Sequence, residues 1–553
     1  MGVASCGSSG ASGNLTGTAG SSGVNCSSDG QCGSGRACVA NGCVLKATSI
    51  ANLAIEIDPP ADSSAALTEL PAADLPTASL VLAADSTVDI TAIPLSNLPA
   101  PAAALLTLPS LIPGRPDLAF EVGFSAGNPP TVTLPNAARG RSGTFNLIPL
   151  SLADQMSPPS AIQVSIPTTE TSFNLSIPPT SYLLSGVLVD PFDTGKGSFY
   201  ARAFQRPDPA KPSVLVSTRT LTADGTGGTI AGSFTILLPD SFGGQPITAS
   251  PIVVQLTPAG TADPWFTFDP FTPASTNTNL GKVSLPSYLV PSAYQVTVHG
   301  DDQMKTPVAG AAVHAFTTLT GGDSRGTTRF QRDASTDATG TANMTLIPGA
   351  TGAPRTYALS VVPAAGSPWA ATCVDGVPVS WNGSTSSNAP PVLVRDVVVA
   401  SRLSFSGTVL SSTGAPVGNV VVTATLTAAT NSCPGPGTTT TTTNGGGAFE
   451  LWLDPGKYQL DYDPPAGSSA PRLTEYDVEI SSAVMRPISL PTAALVEGDV
   501  VDSTGAHLPL ATIRLFEARC AMVTGCTSPP TLRGTTQTDT MGHFSVVVAA
   551  PTQ

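Results

Sequence analysis

Four cysteines lie close together near the start of the chain and are the first residues whose spacing could do chemistry. The stretch CSSDGQCGSGRACVANGC holds Cys26, Cys32, Cys38 and Cys43, with five, five and four residues between successive cysteines. Zinc sites typically contain close C-x2-C pairs or histidines, and this stretch has neither. A segment this short has no apolar core and needs cross-links, so the spacing favours two disulfides over a metal. Disulfides indicate an oxidising, extracytoplasmic compartment.

The five remaining cysteines suggest a lipid anchor and further bridges. Val3-Ala4-Ser5-Cys6 resembles a bacterial lipobox, which predicts lipidation of Cys6, although only Met1 and Gly2 precede it. Either the start codon belongs further upstream or the resemblance is accidental. We expect Cys520 and Cys526 to form a loop disulfide. Two more cysteines have no evident partner in the sequence and either bridge neighbouring modules or stay free: Cys373 and Cys433.

One segment resembles a serine nucleophile motif. Gly322-Asp323-Ser324-Arg325-Gly326 fits G-x-S-x-G, with His314 upstream. A nucleophile elbow needs a buried strand before the serine and a helix after it, and no helical periodicity follows here. The segment is therefore predicted to be a hairpin loop. The four histidines form no zinc-binding pattern. We predict no catalytic residue, no metal and no cofactor.

Two tryptophans occupy matching places in the sequence. Trp265 and Trp369 each follow a strand, a proline and a turn of small residues. Exposed indole rings could stack on sugars, which makes these two residues candidates for glycan binding. The structural alternative, which we favour, is that they close the end of a sandwich or the seam between two sandwiches.

Composition restricts the class of protein. The net charge of −14 disfavours binding to nucleic acid or to anionic lipid headgroups. No apolar run reaches the length of a transmembrane helix, so we expect contact with a membrane only through a lipid anchor. With 53 glycines and 53 prolines in 553 residues, many short strands are favoured over long helices, and several domains are expected.

The elements are clearest between residues 405 and 465. The apolar side chains of this segment alternate with polar ones, which is the period of half-buried strands, and Gly or Pro-Gly separates the runs. Trp452 is the exception and should face outward. The alternating residues are Phe405, Gly407, Val409; Val420, Val422, Ala424, Leu426; Phe449, Leu451, Leu453; and Tyr458, Leu460, Tyr462.

This segment resembles the carboxypeptidase regulatory-like domain, a transthyretin-like or Ig-like β-sandwich. The resemblance rests on Gly407 with Val409, Gly414-Ala415-Pro416-Val417, Gly447-Ala448-Phe449 and Pro455-Gly456-Lys457-Tyr458. It implies a non-catalytic module.

Related patterns recur with a period near 100 residues, the length of one Ig-like sandwich. The prolines at 149, 258, 363 and 464 are 109, 105 and 101 residues apart. The predicted fold is therefore all-β, with tandem Ig-like or transthyretin-like antiparallel β-sandwiches after a small disulfide-rich segment. The expected divisions are a tether (1–25), a disulfide knot (26–45), and sandwiches at 50–178, 183–286, 294–396, 402–490 and 495–553.

The fifth predicted sandwich is short of strands. It stops at Pro551-Thr552-Gln553, where the final Pro-Gly-x-Tyr strand should follow. A sandwich without that strand has an open edge and an uncovered core. We therefore expect either that the sequence is incomplete there or that a partner supplies the strand.

These features predict a non-enzymatic cell-envelope or secreted protein that displays and spaces binding modules. The expected location is extracytoplasmic, on the cell surface or anchored to the outer membrane, and the expected partner is a protein or a polysaccharide. Two alternatives stay open: an array of carbohydrate-binding modules, or the accessory modules of a larger secreted hydrolase cut off at residue 553.

Overall fold

The structure is a computed structural model, and its strands follow the alternation of apolar residues seen in the sequence. Within the described residues, no helix is both long enough and apolar enough to cross a membrane. The structure describes residues 26–32, 34, 36–40, 42–46, 49–50, 53–60, 67–70, 75–76, 80–81, 86–93, 102–122, 131–134, 140–149, 159–169, 172–176, 182–205, 213–260, 263–350, 352–381, 392–429, 433, 437–502, 505–517 and 529–550.

Seven short strands come first. A 3-10 helix, Asp29–Gln31, precedes them, and β3 pairs with β6. The strands are β1 (Arg36–Val39), β2 (Gly42–Lys46), β3 (Ser49–Ile50), β4 (Leu53–Asp58), β5 (Thr68–Leu70), β6 (Leu75–Pro76) and β7 (Leu80–Val81).

The next strands form sandwiches 1 and 2. Sandwich 1 contains β8 (Ser86–Ile93), β9 (Ala102–Leu108), β10 (Leu118–Val122), β11 (Thr131–Leu134), β12 (Ser142–Pro149), β13 (Ser160–Ser165) and β14 (Ser172–Ser176). Sandwich 2 contains β15 (Tyr182–Val189), β16 (Phe199–Gln205), β17 (Val214–Leu215), β18 (Thr220–Leu221), β19 (Ser233–Leu238), β20 (Ser241–Phe242), β21 (Gln245–Pro246), β22 (Ile252–Pro258), β23 (Trp265–Phe268) and β24 (Asn277–Ser284), with 3-10 helices at Thr226–Gly228 and Ile247–Ala249.

Sandwiches 3 and 4 follow, and four strands end the chain. Sandwich 3 contains β25 (Ser292–Gly300), β26 (Ala312–Leu319), β27 (Gly326–Ser335), β28 (Thr341–Leu346), β29 (Arg355–Val362), β30 (Thr372–Val379) and β31 (Val392–Val399). Sandwich 4 contains β32 (Leu403–Leu410), β33 (Val421–Ala429), β34 (Thr438–Thr442), β35 (Ala448–Leu453), β36 (Gly456–Asp463), β37 (Leu473–Ile480) and β38 (Val484–Ser489). The last strands are β39 (Ala493–Val501), β40 (Thr512–Glu517), β41 (Thr531–Gln537) and β42 (His543–Ala549).

Sandwich 4 shows the topology that the others repeat. One sheet has the order β35-β32-β38, in which β38 runs parallel to β32, and the other has the order β34-β33-β36-β37. The predicted apolar residues, among them Phe405, Leu451 and Tyr462, lie in its buried core, whereas Trp452 is 46% exposed. The prediction of half-buried strands and of an outward-facing tryptophan is therefore confirmed in this sandwich.

Sandwiches 1 to 3 repeat this arrangement. Each has a three-stranded sheet, with the orders β11-β8-β14, β19-β15-β24 and β28-β25-β31. In each, the first strand of the sandwich along the chain runs parallel to its last strand. Sandwiches 2, 3 and 4 have separate apolar cores. The larger sheets of sandwiches 2 and 3 join edge to edge into one nine-stranded sheet, because β23 pairs with β27. The prediction of an all-β chain of tandem sandwiches is confirmed.

The fifth sandwich corrects two expectations. Its sheets have the orders β1-β2-β39-β42, with β7 also beside β39, and β41-β40-β4-β5. Strands β4 and β7 thus pair with the C-terminal strands β40 and β39, although we predicted both to lie in the sandwich at 50–178. The strand that the sandwich at 495–553 was expected to lack is β4, from the N-terminal part of the same chain. The sequence pattern did not reveal it, because residues far apart in the chain can lie side by side in a sheet.

Candidate functional site

The fifth sandwich is the most distinctive site of the molecule, because two distant segments build it. Strand β4 pairs with β40 through six pairs of residues, from Leu53 opposite Glu517 to Asp58 opposite Thr512. The pairing of β36 with β33 in sandwich 4 has the same direction. Leu53, Ile55 and Ile57 are buried in the common core, where Tyr458, Leu460 and Tyr462 stand in sandwich 4.

A buried carboxylate marks the pairing of the two segments. Glu56 is 1% exposed, and its Oε1 accepts a hydrogen bond of 2.7 Å from Nη1 of Arg514 on β40. Its Oε2 pairs with Arg115, from the loop after β9 of sandwich 1. Arg514 also lies 3.3 Å from Asp58. Burying a carboxylate costs free energy unless cations and donors surround it, so this position favours one register and one set of neighbours.

The loop at residues 109–116 fixes sandwich 1 against β4 and β5. Glu69 is 2% exposed and accepts hydrogen bonds of 2.6 Å from the hydroxyl of Ser110 and from the backbone N–H of Leu111. The guanidinium of Arg115 lies 4.3 Å from the centre of the Phe516 ring. The strands from residues 53–70 are therefore bound on one side to sandwich 1 and on the other to the C-terminal strands.

The disulfide knot covers the edge of the same sandwich. Disulfides join Cys26 to Cys38 and Cys32 to Cys43. The β1–β2 hairpin between these cysteines lies beside β39, with β2 parallel to it. The sulfur atoms of Cys26, Cys32 and Cys43 lie within 4.8 Å of one another, but each is in a disulfide and offers no thiolate to a metal.

An ion-pair network ties the knot to β39. Lys46 bridges Asp29, at 3.0 Å, and Glu497 on β39, at 3.6 Å. The pKa of Asp29 is lowered, first by a hydrogen bond from the backbone N–H of Cys38 and then by Lys46. The knot is thus docked on the fifth sandwich.

A covalent link joins sandwiches 3 and 4. A disulfide joins Cys373, on β30, to Cys433, between β33 and β34. Of the two alternatives left open by the sequence, the structure thus shows the bridge between neighbouring modules. Beside this seam, Arg402 is 3% exposed and donates to Asp454 at 2.9 Å. Asp454 also accepts from the backbone N–H of Ala371 at 3.3 Å. The seam is therefore cross-linked and polar.

Contacts also join the remaining neighbours. The backbone N–H of Gly243 in sandwich 2 donates to the carbonyl of Ala161 in sandwich 1 at 2.7 Å. The hydroxyls of Tyr476 in sandwich 4 and Thr531 in sandwich 5 are 2.6 Å apart. Together with the contacts of Glu56 and Glu69, these seams form a closed circuit through all five sandwiches.

The two candidate glycan-binding tryptophans lie at seams. Trp265 is half-buried on β23, opposite Arg329 of sandwich 3. Trp369 is half-buried against the core of sandwich 3, and its ring covers Gly300, where a Cβ would lie 2.1 Å from it. These positions match the structural alternative, and glycan stacking at either residue remains a prediction.

The G-x-S-x-G segment lies in the loop between β26 and β27, as predicted. Arg325 pairs with Asp323 at 2.6 Å, and its guanidinium also donates to the carbonyls of Leu280 and Lys282 in sandwich 2. The segment therefore connects sandwiches 2 and 3. His314 pairs instead with Asp333, at 2.7 Å.

Three predicted sites fall outside the described residues, namely Cys6, Cys520 and Cys526. Sequence reasoning missed Glu56 and Glu69. The available signal was weak: each is an acidic residue inside a short run of apolar or β-forming residues in a chain that is only 11% charged.

Comparisons with known proteins give a fold likeness only. No family model and no curated protein match the chain. Among solved structures, the Bacillus anthracis TIE protein is 10% identical, covering 73% of this chain and 74% of that one, with a TM-score of 0.16. Two B repeat units of the collagen binding protein of Staphylococcus aureus are 9% identical, covering 74% and 99%, with a TM-score of 0.13. The pilus adhesin SpaC from Lactobacillus rhamnosus GG, in its open conformation, is 9% identical, covering 80% and 56%, with a TM-score of 0.16. Scores this low carry no argument about function.

Proposed function

We propose that this chain is a non-enzymatic structural protein of the cell envelope or the secreted fraction, which displays and spaces β-sandwich modules. The observation that carries the proposal is the set of five sandwiches with one strand topology, joined by the buried ion pair of Glu56 with Arg115, by hydrogen bonds and by a disulfide. Such joints resist bending between modules, which suits a scaffold that holds binding loops away from a surface.

The compartment follows from the cysteines. Three disulfides lie within the described residues, and one of them joins two sandwiches. Structural disulfides persist in oxidising compartments and are rare in the cytosol. We therefore infer a location outside the cytoplasm. The lipobox-like Val3-Ala4-Ser5-Cys6 supports the further proposal that a lipid on Cys6 holds the protein on the cell surface or the outer membrane.

The partner is a protein or a polysaccharide met by the loops at the ends of the sandwiches. The acidic net charge of −14 disfavours nucleic acid. The modules resemble carboxypeptidase regulatory-like domains, which would accompany an enzyme or a surface structure without performing catalysis.

Surface labelling of intact cells tests the location. A membrane-impermeant biotin reagent should label the protein in whole cells, and palmitate should be incorporated in a form that is lost in Cys6→Ser. Labelling only after lysis would contradict an extracytoplasmic role. Labelling without palmitate incorporation would support the surface location and contradict the lipid anchor.

Binding assays test the adhesive role. Beads coated with the purified full chain should be retained on surfaces of extracellular matrix protein or envelope polysaccharide more than beads coated with albumin. Retention equal to that of albumin on all of these surfaces would contradict adhesion. A change of tryptophan fluorescence on adding polysaccharide would favour glycan recognition over protein binding.

A further inference from the structure

The two segments of the fifth sandwich are held together without a covalent bond among the described residues. The disulfides of the knot lie within residues 26–43, and the third disulfide joins sandwiches 3 and 4. Among the described residues of segment 53–81, the association with the strands of 493–549 rests on backbone pairing, apolar contacts and the ion pairs of Arg514 with Glu56 and Asp58.

This association repeats what a continuous chain does in sandwich 4. Asp58 on β4 lies opposite Thr512 on β40, and Asp463 on β36 lies opposite Val421 on β33 at the corresponding place. Strand β7 runs parallel to β39, as β38 runs parallel to β32. Residues 53–81 therefore supply the counterparts of the last three strands of sandwich 4.

We propose that residues 53–81 of one copy complete the fifth sandwich of a second copy, so that chains join head to tail. The strands and the sandwich that receives them are on opposite ends of one chain. An exchanged contact is therefore heterologous, and it closes into a ring or extends as a filament. The occupant of the site is a second copy of this chain, which goes beyond the proposed scaffold role and does not depend on it.

The pairing itself gives the exchange its specificity. The core residues Leu53, Ile55 and Ile57 are buried, and Glu56 needs Arg514 beside it because an unpaired buried carboxylate is costly. A strand with another pattern would not meet both requirements. The second copy carries the same residues in the same order.

The closed and exchanged forms share these contacts at the fifth sandwich. Their difference in free energy therefore depends on the effective concentration of the two ends within one chain, relative to the concentration of other copies. Sandwiches 1 to 4 and their seams set that effective concentration. Exchange is favoured where copies are crowded, as on a surface.

Cross-linking between full-length copies tests the exchange. One preparation carries Asp58→Cys and one affinity tag, and the other carries Thr512→Cys and a different tag. They are mixed, incubated at a temperature at which the β4 and β40 amides exchange hydrogen, and oxidised. Disulfide-linked species containing both tags should form, in a fraction that rises roughly in proportion to chain concentration while it is small, because exchange is bimolecular.

Sandwich 4 provides the matched control. A mixture of Asp463→Cys and Val421→Cys copies should give no linked species above background, because those strands belong to one continuous module. The double variants Asp58→Cys/Thr512→Cys and Asp463→Cys/Val421→Cys should each form a bond within a single chain. The proposal is overturned if the Asp58/Thr512 mixture gives no more linked species than the control mixture. It is also overturned if the Asp58→Cys/Thr512→Cys chain forms no internal bond, since the pairing itself would then be wrong.

Discussion

Glu56 and Arg514 are 458 positions apart in the chain, yet the guanidinium of Arg514 donates to the carboxylate of Glu56 at 2.7 Å. The contact joins the segment after the disulfide knot to the last module of the chain. Arg115 of sandwich 1 meets the same carboxylate. One buried side chain thus connects three parts of the protein that are far apart in sequence.

Replacing Glu56 should open the fifth sandwich. Glu56→Gln removes the negative charge that two arginines contact, so the free energy needed to open the sandwich should fall by about 2 kcal/mol. This loss is smaller than for a fully buried ion pair, because both arginines are partly exposed. Hydrogen exchange of the β4 and β40 amides measures this locally. The matched substitution Glu450→Gln, at an exposed position of sandwich 4, should leave those amides unchanged. Equal exchange in both variants would contradict a stabilising role for the Glu56 contacts.

A buried threonine at the corresponding position of four sandwiches bonds two backbone groups through its hydroxyl. The hydroxyl of Thr336 accepts from the backbone N–H of Ala311 at 2.8 Å and donates to the carbonyl of Val308 at 2.6 Å. Thr222, Thr443 and Thr538 make the corresponding pairs of bonds.

Thr336→Val keeps the shape but leaves both backbone groups unpaired, so it should destabilise sandwich 3 by about 2 kcal/mol. Calorimetry of the full chain measures the shift of the corresponding thermal transition. Thr345→Val, at an exposed position of β28, is the control and should shift that transition far less. A similar shift in both variants would show that the lost bonds are not the cause.

The sequence predicted strands and faces well because those depend on neighbours along the chain. The repeated glycines also helped, because each has a packing reason. At Gly407, a Cβ would lie 2.0 Å from the carbonyl oxygen of Arg486 and 3.3 Å from the ring of Phe449. Gly498 stands under Phe544 in the same way. Such pairs repeat in the sequence and mark the module, and the strand pattern in sandwich 4 follows from them.

Partners that are distant along the chain could not be predicted. The alternation of Leu53, Ile55 and Ile57 specifies a half-buried strand but not the sheet that receives it. The bond between Cys373 and Cys433 likewise depends on how two sandwiches meet. Glu56 is buried between Arg514 and Arg115, and the second of these comes from sandwich 1.

Acid should weaken sandwiches 3 and 5 through one turn residue in each. The pKa of Asp337 is lowered by hydrogen bonds from the side chain and backbone of Thr339 and the backbone of Thr341. That of Asp539 is lowered chiefly by the backbone N–H groups of His543 and Met541. A lowered pKa in the folded state means that the carboxylate stabilises the fold at pH values above its ordinary pKa of 3.8. This stability is lost as the pH falls through the lower, folded value.

The corresponding residue of sandwich 4 is Asn444, which accepts from the N–H groups of Gly446 and Ala448 without titrating. Asp337→Asn should therefore remove the loss of stability of sandwich 3 between about pH 5 and pH 2. Asn444→Asp should introduce such a loss in sandwich 4. Thermal midpoints recorded across this range measure both. An unchanged pH dependence in the two variants would rule out these turns as the origin.

Removing the bond between Cys373 and Cys433 should uncouple sandwiches 3 and 4. The two cysteines are 60 residues apart, and closing a loop of that length stabilises a fold by about 4 kcal/mol in the chain-entropy model. In Cys373→Ala/Cys433→Ala, we expect the transitions of these two sandwiches to move to lower temperature and to separate in calorimetry. The ion pair of Arg402 with Asp454 remains in this variant, so the loss does not come from that contact. As a control, Cys26→Ala/Cys38→Ala should alter the knot and leave the two transitions in place. If the Cys373→Ala/Cys433→Ala chain unfolds as the unmodified protein does, the disulfide does not couple the two sandwiches.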